Sequence, residues 1–226
     1  MTNAISRVSQ SRTVRLIPNA SHKPPVLLAL APTQGALEQL EALESVTSRR
    51  QVAQQNGVPG IAPEALATGY GYSFVNAAFA YTRPNGNRFN PPQWGVWYSA
   101  FDHATALQEV KYHLTRALEA AGAAFDNETR YIELLADVDA DFVDLRGIDP
   151  APDCLNADTA IGYPAGQRLA AELRTQGYNG IVYPSVRHRD GTCLAVFWPG
   201  LIRNFRHGVT WILKWSGDPE PTITML

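Results

Sequence analysis

The chain has 226 residues, 45% of them hydrophobic, and its 19 basic and 21 acidic side chains leave a formal net charge of −2. That is enough apolar material for a real core without covalent staples, and the charge gives no basic field to gather nucleic acid. No apolar run approaches the roughly 18 residues of a membrane span, and residues 1–14 are polar with no hydrophobic signal core, so the expected compartment is the cytoplasm.

Residues 1 to 25 read as weakly ordered, ended by Pro24 and Pro25. Leu37, Leu40, Leu43 and Val46 recur at helical spacing and predict a helix over 36–55, stopped by the glycines and proline of 57–60. Residues 1–70 are accordingly read as a helical N-terminal portion and 71–226 as the domain that carries the chemistry. Glycine and proline punctuate the chain up to Ala77, where strand-like residues begin. The aromatic tract from Trp94 to Phe101 predicts a buried strand. Asp102 can cap a following helix whose apolar stripe is Leu107, Val110, Leu114 and Leu118, ended by Gly122. Two short strands are expected at 130–136 and 141–145, a helix at 166–176, and strands near 181–183 and 194–198. The order is that of a mixed α/β fold.

Three motifs concentrate chemistry. Arg88, in Asn87-Arg88-Phe89-Asn90, sits among apolar and aromatic residues where an unpaired guanidinium is costly, so it calls for a carboxylate or a phosphate; read alone, it is a structural salt-bridge arginine. Glu109 lies off the apolar stripe and groups by helical spacing with Thr105, Tyr112, His113 and Arg116. That face reads either as solvated or as one wall of a cleft. Ser185 opens a turn after the strand of Gly180 to Pro184, where side chains reach clefts or bond their own backbone. There is no G-x-S-x-G elbow, no third glycine after Gly69 and Gly71, and no P-loop. Five histidines and two cysteines, Cys154 and Cys193, predict neither a zinc site nor a disulfide framework, but reduced thiols.

Asn87-Arg88-Phe89, Gly95 to Tyr98, Thr105-Ala106 with Glu109, Tyr112-His113, and Gly180 to Arg187 together resemble the RES domain, a family named for its arginine, glutamate and serine. Weaker similarity runs through 14–18 and 43–47, while Asn87 and Cys193 depart from the family's usual residues. The resemblance implies a split mixed sheet similar to ADP-ribosyltransferase toxins, with an NAD cleft between its halves and Arg88, Tyr98, Glu109 and Ser185 as the site. It implies NAD as substrate, with no other cofactor and no metal, and the toxin half of a toxin-antitoxin pair. The implied partner is a cognate DNA-binding antitoxin of the Xre type, the toxin itself contacting neither nucleic acid nor membrane. The acceptor stays open between phosphate, water and a protein side chain, the last making an ADP-ribosyltransferase with a protein target. A non-catalytic module that keeps the cleft is the other class. Glu109 is expected to stabilise oxocarbenium character at the ribose. Arg88 is expected to hold phosphates or ribose, Tyr98 to orient nicotinamide, and Ser185 to bond ribose or phosphate.

Overall fold

The computed structural model describes residues 4–19, 57–122 and 125–226. Among them are seven strands and three α-helices: β1 (Ile5–Pro18), α1 (Tyr72–Ala80), β2 (Trp97–Ala100), α2 (His103–Ala120), β3 (Asp126–Asp144), α3 (Thr159–Thr175), β4 (Gly180–Pro184), β5 (Thr192–Val196), β6 (Arg203–Ser216) and β7 (Thr222–Met225). The fold is a mixed α/β one, with strand order β1-β2-β5-β4-β3-β6-β7 and an additional β1–β3 pairing. Those pairings close β1, β2, β5, β4 and β3 into a ring, from which β6 and β7 extend. All are antiparallel except β3 with β4, which run parallel at Val143↔Ile181 and Asp144↔Val182.

Strands β4 and β5 are buried on both faces, which is why they read as unbroken apolar runs. Val182, Leu194 and Val196 enter one core cluster with Phe79, Trp97 and Phe142. Their neighbours Ile181, Tyr183, Cys193 and Ala195 enter a second with Phe89, Ala170 and Leu173. The stripe of α2 packs as its spacing requires: Leu107, with Val110, Leu114 and Leu118 beside it, lies against Tyr131, Leu213 and Trp215. Asp102 caps that helix, its carboxylate accepting from the Thr105 N–H at 2.7 Å.

Four expectations are corrected. Residues 5–18 are not weakly ordered: they form β1, in which Arg7, Ser9, Ser11 and Arg12 are exposed while the backbone pairs with β3 from Ile5↔Val143 to Pro18↔Tyr131. Residues 77–80 end a helix rather than begin a strand, and Asn76 fastens that helix through a two-way bond with the backbone of Ala67. The two short strands at 130–136 and 141–145 are one strand of 19 residues. Its polar middle alternates with buried Ala136, Val138 and Ala140, and Asp137 and Asp139 are neutralised by Arg206 and Arg7. The helix expected at 166–176 starts at Thr159, capped by Asp158, with Pro164 inside it. The helix expected over 36–55 lies outside the described residues.

Gly180, at φ +146°, starts β4 where any Cβ would collide with the Ala195 carbonyl oxygen. Gly180→Ala is therefore expected to cost about 3 kcal/mol or more, read by chemical denaturation; unchanged stability would show that β4 and β5 can separate at this point.

Candidate active site

Arg88 is placed by backbone and by glycine. It lies 92% out of solvent contact, at 8% exposure, and its Nη1 donates to the carbonyl oxygens of Cys154 at 2.6 Å and Asn156 at 3.0 Å. Helix α3 comes this close because residues 162 and 166, one turn apart, are glycines. A Cβ at Gly162 would sit 2.6 Å from Arg88 Nη1, and one at Gly166 would strike the Arg88 carbonyl oxygen. Gln167 of the same helix donates to the carbonyls of Asn85 and Asn87, each at 3.0 Å. From the other side the Tyr98 hydroxyl accepts from the Phe89 N–H at 2.8 Å and donates to Asn90 Oδ1 at 2.9 Å. Tyr98 thus clamps the loop that presents Arg88, and burial pushes its phenol far above the usual range.

Glu109, half-buried on α2, meets Ser185 from the end of β4: Ser185 Oγ donates to Glu109 Oε1 at 2.6 Å. Ser185 in turn accepts from the backbone N–H groups of Arg187 at 3.2 Å and His188 at 3.0 Å. The serine is therefore both the backbone-bonding turn residue and a cleft residue. Arg187 folds over the Tyr112 ring, 3.5 Å from its centre, and donates to the Ala157 carbonyl at 2.7 Å.

These elements surround a cavity of about 290 Å³ whose lining includes Arg15, Arg83, Arg88, Tyr98, Glu109, His113, Tyr163 and Arg187. Among the described residues, four guanidiniums thus face one carboxylate. Among the described residues, none of the four makes an ion pair. The salt-bridge reading of Arg88 is accordingly replaced by one in which carbonyls hold it. Burial lowers the Arg15 guanidinium to about 10, still a cation at neutral pH. Burial first, then Arg83, Arg187 and Arg88, pushes the His113 imidazole down to about 4, so it faces the cavity uncharged. Ser99 also lines the cavity, and its buried hydroxyl has no hydrogen-bond partner among the described residues. No cluster of three potential metal ligands occurs among those residues, and no helix of theirs is long and apolar enough to cross a membrane.

The family model of the RES domain matches residues 64–216. The chain belongs to the RES domain family. No curated protein matches it. A solved structure, the crystal structure of the M. tuberculosis MbcT-MbcA toxin-antitoxin complex, aligns over 58% of this chain and 74% of the matched one, at 18% identity and a TM-score of 0.40.

Within this RES domain the four residues singled out in the sequence come together: Arg88, Tyr98 and Glu109 line one cavity, and Ser185 reaches it through Glu109. Arg15, Arg83 and Tyr163 were not singled out. Arg15 arrives from β1 and donates to the Tyr98 carbonyl at 3.0 Å, and Tyr163 lies under the Arg88 guanidinium, 5.4 Å from ring centre. Both depend on contacts across more than 70 residues, for which no local spacing signal exists. His113, read as an ordinary helix histidine, lies on the same α2 face as Glu109, and that grouping was the available signal.

His113 also predicts a pH dependence. Its folded value of about 4 is below the ordinary 6.5, so between these values the unfolded chain binds more protons, and stability falls as pH drops through that window. His113→Gln should flatten the melting-temperature profile between about pH 6.5 and 4; a variant with the wild-type slope would place a charged His113 in the cavity.

Proposed function

We propose that this RES domain cleaves the bond between nicotinamide and ribose in NAD, and that it acts as a toxin held in check by a cognate antitoxin. The observation that carries the reading is one carboxylate, Glu109, engaged by Ser185 in a cavity also lined by four arginines that, among the described residues, make no ion pair. A dinucleotide brings two phosphates to such a lining, and guanidiniums are suited to hold them. Its nicotinamide leaves with the bonding electron pair, and the ribose left behind gains oxocarbenium character that a fixed carboxylate stabilises. One Glu109 oxygen is occupied by Ser185; the second has no protein partner among the described residues, and in this reading it takes a ribose hydroxyl. Arg88 holds phosphate or ribose, while Tyr98 acts chiefly by fixing the Arg88 loop, since its hydroxyl is engaged as both donor and acceptor. Phosphate, water or a protein side chain then takes the ribosyl group, making the enzyme a phosphorylase, a glycohydrolase or an ADP-ribosyltransferase. The antitoxin, of the DNA-binding Xre type, supplies operator recognition that a chain of net charge −2 is poorly suited to provide.

Incubation with NAD, with and without phosphate, should release nicotinamide, and the ribosyl product identifies the acceptor. Glu109→Gln keeps an acceptor for Ser185 but loses the charge, so it should still bind NAD while turnover falls about a hundredfold, the equivalent of about 3 kcal/mol. Arg88→Lys should weaken NAD binding where the contact is to ground-state phosphate, and turnover where it forms in the transition state. Expression of the wild-type chain should lower cellular NAD and slow growth, with Glu109→Gln harmless at matched levels. Absence of nicotinamide, even with extract supplying protein acceptors, would leave a binding module in place of an enzyme.

A further inference from the structure

The turn that carries Ser185 grips α2 at two points one helical turn apart. The first is the bond to Glu109. The second joins His188 Nδ1 to Thr105 Oγ1 at 2.9 Å, and Thr105 and Glu109, four residues apart, share one face of the helix. Thr105 is fully buried, and its single hydroxyl proton is already given to Asp102 Oδ2 at 2.8 Å. Towards His188 its oxygen can therefore only accept, and His188 must donate from Nδ1. The turn itself is closed by the Ser185 N–H on the Gly191 carbonyl at 2.7 Å and by the Gly191 N–H on the His188 carbonyl at 3.1 Å. Gly191 leaves the room for this contact, since a Cβ there would lie 2.6 Å from Thr105 Oγ1 and 3.0 Å from His188 Nδ1.

We propose that Asp102, Thr105 and His188 form a positioning clamp that sets Ser185 on Glu109. Asp102 orients the Thr105 hydroxyl, Thr105 selects the Nδ1–H form of His188, and the His188 backbone N–H holds Ser185 Oγ so that its proton points at Glu109. None of the three touches substrate: they act through Ser185, and the clamp's effect on turnover rests on the NAD-cleaving reading above.

The test uses the full chain with Thr105→Val, which keeps shape but loses the hydroxyl, Thr105→Ser, which keeps the hydroxyl, His188→Phe, and the Thr105→Val/His188→Phe double variant. With NAD as substrate, Thr105→Val and His188→Phe should each lower kcat about tenfold with KM little changed, as expected for a group moved by a fraction of an ångström. Thr105→Ser should stay within about twofold of wild type, and the double variant should be no worse than either single one. Independently of activity, the imidazole ¹⁵N spectrum at pH 8.5 should show His188 protonated at Nδ1 in the wild type and shifted towards the Nε2–H form in Thr105→Val. A wild-type His188 in the Nε2–H form overturns the clamp, and so does wild-type kcat in Thr105→Val. Should Thr105→Val not fold, His188→Phe carries the same kinetic test. Failure of the wild type to release nicotinamide, with the ¹⁵N result as expected, would instead overturn the activity and leave the clamp standing.

Discussion

A guanidinium removed from water and given only carbonyl oxygens as partners keeps its full charge, and the site around Arg88 is built on that condition. Leaving such a charge uncompensated costs several kcal/mol. The fold meets the cost in part with the carbonyls of Cys154 and Asn156 and the ring of Tyr163. It withholds the carboxylate that would neutralise it. Glu109, the one acid lining the cavity among the described residues, is instead engaged by the Ser185 hydroxyl. Charge is thus kept separated and ready, the arrangement that favours an anionic ligand over a structural ion pair.

The rest of the architecture serves to hold these groups still. Two glycines let α3 reach Arg88, the Tyr98 hydroxyl closes the loop on the opposite side, and the doubly buried strands β4 and β5 carry Ser185. Helix α2 divides its surface between Leu107, Val110, Leu114 and Leu118, which pack on Tyr131, Leu213 and Trp215, and the face of Glu109 and His113, which lines the cavity. A helix with one face anchored in a core offers a rigid mount for the other, which is what a preorganised site requires.

Local patterns in the sequence located what is local. The periodicity of α2, its Asp102 cap, and the apolar runs of β2, β4 and β5 were all readable, and so was the separation of Glu109 from the packing stripe. Resemblance to the RES domain then joined Arg88, Tyr98, Glu109 and Ser185, which no spacing rule could bring together. Strand β1 was missed because its exposed polar residues and its register shift between Gln10 and Thr13 break the simple alternation that marks a strand. Strand β3 was expected as two pieces with residues 137–140 left out between them, whereas Arg206 and Arg7 balance the charges of Asp137 and Asp139 from β6 and β1. Arg15 and Arg83 escaped notice for the same reason: their place in the cavity is set by strand pairing and loop packing between distant segments.

The most direct measurement of this account is a crystal structure of the Glu109→Gln variant soaked with NAD. The pyrophosphate is expected among the guanidiniums of Arg83, Arg88 and Arg187, with the nicotinamide ribose against residue 109. NAD bound elsewhere on the surface, or an empty cavity at saturating NAD, would contradict it.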